Sequence, residues 1–303
     1  MAKIVGIGAN VFDTLYSVDK YPTEDTKTCA KAVKECGGGA CATGLVAASK
    51  LGASCGFVGN FTDDSAGQFL KSDFEKYGVD TSYMTFKPGY SSFCSVLWLA
   101  SDTTSRTCVF FRGNVPPTEI DEVSAKAIAD AEILMVDGND MEAAIEGAKV
   151  AKANGTKVLY DAGGLYEGVE KLLPYADILI PSEEFAIGHT KTENAEEAAK
   201  ILFEKYSPEI VVITQGKKGG IIYDGKTLES YPAFLVDAVD SNGSGDVFHG
   251  AFAFAVTNNM DYKKASVFSS AVSALKCTKV GAREGVPTYD ETINFLKEND
   301  YEL

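Results

Sequence analysis

The sequence predicts an α/β protein with a doubly wound, mostly parallel sheet that is flanked by helices. From residue 118 onward, short continuous apolar runs alternate with segments of helical spacing, as expected for strands that are covered on both faces. Such alternation is typical of parallel sheets that are joined by right-handed crossovers. Two other segments, near 11–36 and 90–114, alternate polar and apolar residues and predict a small antiparallel sheet.

The two antiparallel segments are too short to form a domain of their own. Two strand-like runs flank the polar turn at 102–105 in the second segment, which predicts a hairpin. Because ligands bind at the carboxyl edge of parallel sheets, we expect the segments to form a lid over that edge. No linker or internal repeat interrupts the chain, so we predict one domain over residues 1–303 with the lid strands inserted near 11–36 and 90–114.

Apolar runs and glycines mark the elements outside the lid. A buried strand is predicted at 4–9 and another at 55–61, and helices at 42–52 and 65–78 each end on glycine. The later elements alternate in type: helix 118–130, strand 131–138, helix 140–154, strand 157–163, helix 166–173, strand 176–182, helix 193–206, strand 209–216, hairpin 219–231, helix 247–259 and a last pair of helices.

Composition narrows the classes of function. The formal net charge of -15 and the pI of about 4.6 argue against nucleic-acid partners and against an anionic membrane surface, since both need clustered basic residues. Seven scattered cysteines without a C-x-x-C pair indicate reduced thiols rather than a zinc site. With no signal-peptide pattern and no apolar run long enough to cross a bilayer, we expect a cytoplasmic protein.

The segment 240–246 reads DSNGSGD and stands directly before an apolar helical run. Small residues before a helix let a ligand approach the free N–H groups of the first turn, where the helix dipole stabilises an anion. Asp246 would then face both a phosphoryl group and an acceptor hydroxyl, and its carboxylate could take the hydroxyl proton. The same residue also fits a plain helix start, because acidic side chains are favoured there. The chain contains no Walker P-loop motif.

Five segments in order resemble the motifs of the PfkB, or ribokinase, family of carbohydrate and nucleoside kinases. Residues 240–248 are similar to the signature D-[ST]-x-G-[AG]-G-D-x-F, and residues 38–52 to the N-terminal glycine signature. The segments 58–67, 214–219 and 278–287 are similar to the V-G-x-x-G-D-D-x-x-G motif, the T-x-G-x-x-G nucleotide loop and the C-terminal loop. The resemblance implies a ribokinase-like fold and an ATP- and Mg²⁺-dependent kinase that phosphorylates a primary hydroxyl of a small sugar.

By this resemblance, Asp246 is the general base, and Gly243, Ser244 and Gly245 form an anion hole for the transferring phosphoryl group. Asp13 resembles the family aspartate that binds sugar hydroxyls, a role that suits a carboxylate because it only accepts hydrogen bonds. Asp13 also fits a turn after the first strand.

The sugar-binding side is implied by four further residues. Gly38 and Gly39 resemble backbone positions that pass close to the sugar, although they also fit a hairpin turn. Thr43 stands where the family usually has Asn, which weakens an interpretation as a ribose-specific enzyme. Arg112 resembles a lid arginine of sugar-acid and fructose kinases and favours a keto-sugar or sugar acid; alternatively it is a solvated charge. Arg106 is a weaker candidate of the same kind.

The nucleotide side is implied by the later motifs. Thr214, Gly216 and Gly219 resemble the loop that contacts the nucleotide phosphates and ribose, and Ser270 stands where relatives often have Asn beside adenine. Asp240 stands where some relatives hold a potassium ion.

The chain departs from the family pattern at one magnesium-positioning motif. The expected N-x-x-E has Ser182 in place of Asn and Phe185 in place of Glu, and Glu183 or Glu184 could compensate. His249 stands where many relatives have Asn, and we expect it to pack near the site rather than to act as a catalyst.

Three functions remain open at this point. A kinase for fructose, ribose or 2-keto-3-deoxygluconate is the main hypothesis. A nucleoside kinase is the first alternative, since the aromatic residues of the lid could stack on a base or simply form its core. A non-catalytic sugar-binding protein on the same fold is the second. The apolar lid strands also suggest a homodimer that forms through the lid.

Overall fold

The computed structural model describes residues 2–103 and 105–302, and the helices and strands below are those of this part of the chain. The strands are β1 (Ile4–Ile7), β2 (Val11–Val18), β3 (Ala32–Gly38), β4 (Cys55–Phe57), β5 (Gly59–Phe61), β6 (Val79–Asp80), β7 (Met84–Phe86), β8 (Cys94–Ala100), β9 (Ser105–Phe111), β10 (Ile133–Val136), β11 (Lys157–Ala162), β12 (Ile178–Pro181), β13 (Ile210–Thr214), β14 (Gly220–Tyr223) and β15 (Leu228–Tyr231).

The helices are α1 (Ala40–Leu51), α2 (Ser65–Lys76), α3 (Glu122–Ala129), α4 (Met141–Asn154), α5 (Val169–Leu172), α6 (Glu183–Thr190), α7 (Ala195–Tyr206), α8 (Ser244–Thr257), α9 (Tyr262–Cys277) and α10 (Tyr289–Glu298). Short 3₁₀ turns occur at Leu173–Tyr175 and Gly216–Lys218. No helix of the described residues is both long enough and apolar enough to cross a membrane.

The main sheet of the described chain has nine strands in the order β15-β14-β13-β12-β11-β10-β1-β4-β6. Strands β13 to β6 of this order run parallel, whereas β14 and β15 join one edge as an antiparallel hairpin. The loops after β1, β10, β11 and β12 therefore emerge at the same edge of the sheet, which is where parallel sheets build their sites.

Side chains of the central strands alternate between two cores. Along β1, Ile4 belongs to the core under α1, α8, α9 and α10, whereas Val5 and Ile7 belong to the core under α3, α4, α5, α6 and α7. The same alternation holds in β13, where Val212 faces the first core and Val211 the second. Burial on both faces explains why these strands read as continuous apolar runs in the sequence.

The lid is a separate sheet of four strands in the described chain, in the order β3-β2-β8-β9. Its outer pairings are antiparallel, and β2 and β8 pair in parallel at the centre. The inner face carries a small core of Leu15, Cys36 and Leu97. Of the predicted turn at 102–105, residue 104 lies outside the described residues.

Several elements differ from the sequence prediction, among them β6 and β7, which were not predicted. The single strand expected at 55–61 divides into β4, which joins the main sheet, and β5, which pairs with β7 in a small sheet of its own. Helix α6 was not predicted at all. It is short, and its start is fixed by Ser182, whose Oγ accepts a hydrogen bond from the backbone N–H of Phe185.

Candidate active site

Helix α8 begins at the glycine-rich segment. Gly243 precedes the helix with φ +74°, no side chain caps this end, and Asp246 lies in the first turn. A side chain at Gly245 would meet no neighbouring atom within 4 Å, so the space beside this turn is open. The uncapped N–H groups of the turn and the helix dipole therefore face open space in which an anion can bind.

Close packing against α1 fixes the position of this turn. A Cβ atom at Gly250 of α8 would lie 1.9 Å from the carbonyl oxygen of Gly44 in α1, so the two backbones touch where no side chain fits. A Cβ at Gly44 would in turn lie 3.1 Å from the carbonyl oxygen of Asp246. Gly44 and Gly250, which look like ordinary small helix residues in the sequence, thus let α1 and α8 pack closely and fix the position of Asp246.

Asp246 is surrounded by charges of both signs. Burial raises its pKa, the carboxylate of Asp137 adds to this effect, and the positive charges of His249, Arg106 and Lys276 oppose it. A raised pKa makes a carboxylate a better proton acceptor once it is ionised. The nearby cations favour the ionised form, so the surroundings suit a general base.

His249 is buried one turn along α8 and contacts two carbonyl oxygens. Its Nδ1 is 2.6 Å from the carbonyl oxygen of Gly245, and its Nε2 is 3.0 Å from that of Ile180. Carbonyl oxygens only accept, so both bonds form together only when both ring nitrogens carry a proton. The Oδ2 of Asp161 lies 3.2 Å from Nδ1.

Asp161 stands at the end of β11 and was not recognised from the sequence. Its side chain is almost fully buried. Burial raises the pKa of Asp161 to about 7, with His249 lowering it and Asp246 raising it. The carboxylates of Asp161 and Asp246, the candidate base, therefore interact electrostatically.

Asp13 lies on the inner face of the lid, in β2. The hydroxyl of Ser95 donates to its Oδ1 at 2.6 Å, and a Cβ at Gly38 would lie 2.0 Å from its Oδ2, so glycine is required for the loop to pass. Burial raises the pKa of Asp13 to about 6, opposed by Ser95 and Arg283 and supported by the charge of Asp246. The two aspartates thus belong to one site.

Arg283 is the largest fully buried side chain of the described residues and reaches this site from the C-terminal loop. Its Nη1 donates to Oδ2 of Asp73 at 2.6 Å. Its Nη2 donates to the carbonyl oxygen of Gly38 at 2.6 Å and to Oδ1 of Asn10 at 3.0 Å. The guanidinium also packs over the ring of Phe74. Arg283 thus fixes the position of Asn10 and of the backbone at Gly38.

Asp137, at the end of β10, organises the start of α1. Its Oδ2 accepts hydrogen bonds from the backbone N–H groups of Ala9 and Cys41 at 2.8 and 2.9 Å, and its Oδ1 accepts one from Asn139. Helix α1 is preceded by Gly39, with φ +92° and no side-chain cap, so the distant carboxylate performs the capping role. Burial raises the pKa of Asp137, although these backbone bonds oppose the effect.

The two lid arginines reach different places. Nη1 of Arg106 donates to Oδ1 of Asn242 at 2.7 Å, within the glycine-rich segment. Nη1 of Arg112 donates to Oδ1 of Asn139 at 3.2 Å, and its guanidinium lies over the ring of Phe93. Arg106, the weaker candidate in the sequence, is thus the one that contacts the glycine-rich segment before α8.

Arg112 borders a cavity of about 360 Å³ between the lid and the carboxyl edge of the main sheet. Polar groups of the cavity wall come from four places: the loop after β1, the end of β5, the base of the lid and the start of α4. They are Asn10, Asn60, Thr62, Ser92, Asn139 and Asp140.

The predicted nucleotide residues lie at the far end of the main sheet. Thr214 ends β13, and Gly216 and Gly219 follow with φ +57° and +84°. A Cβ at Gly219 would lie 2.1 Å from a backbone carbonyl oxygen of β15, so this turn requires glycine. Ser270 is buried in α9, and its hydroxyl donates to the carbonyl oxygen of Pro232 at 2.6 Å. Thr43 is fully buried in α1.

The region of the altered N-x-x-E motif faces the same loop. Oε1 of Glu183 accepts a hydrogen bond from Nε2 of Gln215 at 2.7 Å, and Lys218 lies 3.7 Å from Oε2. Glu184 is exposed. Among the described residues, no cluster of three or more His, Cys, Asp or Glu side chains could hold a metal ion.

Asp240 is bound on every side by protein groups. Its Oδ1 accepts a hydrogen bond from the backbone N–H of Asn242 at 2.8 Å, and its Oδ2 accepts one from Gly281 at 2.9 Å. Nζ of the buried Lys276 donates to the carbonyl oxygens of Asp240 and Asn242. The end of α9 therefore holds the loop that precedes α8.

Comparison with known proteins identifies the chain. Residues 1–289 match the family model described as pfkB family carbohydrate kinase. The chain belongs to this family. It is thus a phosphotransferase that acts on a sugar hydroxyl, which confirms the predicted family, fold class and type of enzyme.

Relatives of this PfkB kinase include two groups of sugar kinases. It is 29% identical over 266 residues to a ribokinase from Haemophilus influenzae, covering 86% of this chain and 87% of that protein. It is 27% identical over 308 residues to a 5-dehydro-2-deoxygluconokinase from Clostridium botulinum, covering 93% and 91%. A solved structure of Arabidopsis thaliana ribokinase complexed with ribose and ATP has a TM-score of 0.87 at 23% identity, covering 98% and 99%.

The geometry of this PfkB kinase brings some of the expected residues together. Asp246, Asp13 and the Gly38 loop share one electrostatic environment. The sequence did not reveal the buried partners of these residues, which are Asp137, Asp161, Lys276 and Arg283. The signal for the first two was an acidic residue directly after a buried strand, for Asp137, and one near the end of a buried strand, for Asp161.

Proposed function

We propose that this kinase transfers the γ-phosphate of ATP to a primary hydroxyl of a small monosaccharide or sugar acid, with Asp246 as the general base. The observation that carries the proposal is the position of Asp246 in the first turn of α8, beside uncapped N–H groups and open space. A phosphoryl anion at this turn and a hydroxyl beside the carboxylate would be in the arrangement that in-line transfer needs.

The acceptor would bind between the lid and the carboxyl edge of the sheet. Asp13 would accept hydrogen bonds from sugar hydroxyls, and the backbone at Gly38 and Gly39 would pass along the ring. Asp246 would take the proton of the attacking hydroxyl, while Gly243, Ser244 and Gly245 would stabilise the charge on the phosphoryl oxygens. Arg106, which already bonds Asn242 in the same segment, would join them from the lid and help to exclude water.

ATP is proposed as the donor because a structural relative, Arabidopsis ribokinase, is complexed with it. The nucleotide would lie along the Thr214–Gly219 turn, with Ser270 near the adenine. Mg²⁺ would neutralise charge on the phosphate oxygens and would be held mainly by these oxygens and by water, as is usual for this ion. Glu183, which faces the same turn through Gln215, is the candidate that replaces the missing motif.

A sugar acid or keto-sugar suits the acceptor side best. The cavity of about 360 Å³ is lined by Asn10 and Arg112 among other residues and offers several amide and hydroxyl groups. A guanidinium at its wall matches a carboxylate or a carbonyl with adjacent hydroxyls. The candidates are 2-keto-3-deoxygluconate and related acids, fructose and ribose.

The experiment is a phosphotransfer assay with ATP and Mg²⁺ across a panel of sugars, sugar acids and nucleosides. We expect turnover with at least one hexose-derived keto-sugar or acid, and little with nucleosides. Binding of a sugar without turnover of any acceptor would indicate a non-catalytic binding protein instead.

We also propose a homodimer that forms through the outer face of the lid, in a cytoplasmic enzyme. Strand pairing places four apolar side chains on this face, and all of them are at least 39% exposed: Val33, Val96, Val109 and Phe111. Asp13 and Leu97 point to the opposite, inner face. A two-fold dimer would cover the same apolar patch on both subunits.

A further inference from the structure

The ammonium group of Lys276 is surrounded by oxygen atoms of the loop before Gly243–Asp246, which is the proposed anion-binding turn at the start of α8. The side chain is 0% exposed. Its Nζ donates to the carbonyl oxygen of Asp240 at 2.8 Å and to that of Asn242 at a shorter distance. The Oδ2 of Asp240 lies 3.9 Å away and balances the charge. A positive charge is thus buried against the backbone of Asp240 and Asn242, directly before Gly243 in sequence.

This oxygen set is the type that binds a monovalent cation. Backbone carbonyl oxygens and one carboxylate are hard ligands that suit an alkali ion. Here both oxygens of the Asp240 carboxylate are already bonded, to the N–H groups of Asn242 and Gly281, and the carbonyl oxygens point at the ammonium. The residues present therefore do not fit a potassium ion at Asp240, in contrast to the expectation from the family resemblance.

The same end of α9 holds the loop by its backbone as well. The carbonyl oxygen of Cys277 accepts hydrogen bonds from the N–H groups of Val239 and Asp240 at 2.8 and 3.1 Å. The hydroxyl of Ser273 donates to the carbonyl oxygen of Ser244 at 2.8 Å. One face of α9 thus fixes both the approach to the anion-binding turn and its first residue.

The geometry points to Lys276 as a built-in monovalent cation that positions the anion-binding turn, so that this kinase needs no potassium ion. Lys276 is a positioning residue: it acts through the 240–245 loop and does not contact the substrates. Burial lowers the pKa of its ammonium and the charge of Asp240 opposes this effect, in agreement with a cation that depends on its oxygen cage.

The inference rests on the proposed function only for the role of the turn, and its first test needs no turnover. The melting temperature of the wild-type protein is compared in matched KCl, NaCl and choline chloride solutions. We expect no stabilisation that is specific to K⁺. A rise in melting temperature that saturates with K⁺ and is absent with Na⁺ would show a potassium site and overturn the inference.

The second test removes the ammonium. In Lys276→Ala the cage loses its cation, and we expect kcat to fall by about tenfold to a hundredfold through misplacement of the turn, with partial recovery in K⁺ or NH₄⁺ but not in choline. Lys276→Met keeps the volume and should lose activity without recovery. Unchanged melting temperature and kcat in both variants would overturn the inference.

Lys279→Met is the matched control. Lys279 lies three residues further along, is 52% exposed and pairs only with Glu291 among the described residues. Its loss should change neither the melting temperature nor the response to K⁺. If no acceptor is phosphorylated at all, the proposed function fails, and the melting temperatures of the wild type and of Lys276→Ala in K⁺ still decide the inference.

Discussion

Nη2 of Arg283 donates a hydrogen bond to the carbonyl oxygen of Gly38 at 2.6 Å, although the two residues are 245 positions apart in sequence. Two residues earlier, the backbone N–H of Gly281 donates to Asp240. The C-terminal loop therefore contacts the segment that is proposed to bind the sugar through Arg283, and the segment that is proposed to bind the phosphoryl group through Gly281.

Arg283→Met should weaken binding of the acceptor more than binding of ATP. The variant frees the Gly38 carbonyl and leaves Asp73 buried without its partner, so we expect a loss of about 3 kcal/mol or more in unfolding free energy. The acceptor KM should rise several-fold while the ATP KM changes little. Denaturant unfolding and steady-state kinetics measure the two effects.

A double variant separates position from stability in this experiment. Arg283→Met with Asp73→Leu removes both charges and should recover much of the stability, because apolar replacement of a buried ion pair is often nearly neutral. The acceptor KM should remain high. An acceptor KM that returns to the wild-type value together with stability would show that Arg283 has no positioning role.

Binding of the acceptor should weaken in mild acid through Asp13. The folded-state pKa is about 6, so the carboxylate takes up a proton as the pH falls below this value and loses acceptor capacity. The dissociation constant should then rise about tenfold per pH unit. Calorimetry on Asp246→Asn measures this without turnover and without titration of the base; because the charge of Asp246 raises the pKa of Asp13, the dependence should begin at a lower pH in this background. Adding Asp13→Asn should abolish the pH dependence below 6; if the dependence remains, another group is responsible.

The interaction of His249 with Asp246 predicts how the pH profile of kcat/KM changes in a variant. It lowers the pKa of Asp246, so in His249→Asn that pKa should rise and the acid limb of the kcat/KM profile should move to higher pH. His189→Asn, in a residue that bonds Tyr206 away from the site, should leave the acid limb in place. A shift of the limb to lower pH in His249→Asn would reverse the assigned sign.

The proposed dimer should depend on the outer face of the lid. Val109→Glu places a charge at a position that is 64% exposed in the subunit and that would be buried in the dimer, so it should give monomers in sedimentation velocity. Val123→Glu, on α3 and 58% exposed, is the matched control. If the wild type is a monomer at all concentrations tested, the proposal fails.

The order of strands and helices could be predicted because local sequence patterns indicate each of these elements. Continuous apolar runs mark strands that are buried on both faces, and nearly every run in the second half became a strand. Helix α6 was missed because it has eight residues and little amphipathic spacing. Its available signal was Ser182 before two acidic residues, the pattern of a helix start.

The buried half of the site could not be predicted, because its contacts join distant parts of the chain. Lys276 and Arg283 look like surface cations in the sequence, since these residues are rarely fully buried. Only the fold shows that one binds the carbonyl oxygens of Asp240 and Asn242 and the other that of Gly38. Asp137 caps a helix 96 residues away from it, which no local motif indicates.

The most direct test of the whole account is the turnover of Asp246→Asn with the best acceptor of the panel. The raised pKa of Asp246 means that its charged form is disfavoured by folding at neutral pH, so the neutral variant should melt at the same or a higher temperature. Its kcat should fall by about a thousandfold or more. A variant that is equally stable and retains near-wild-type kcat would contradict the assignment of Asp246 as the base.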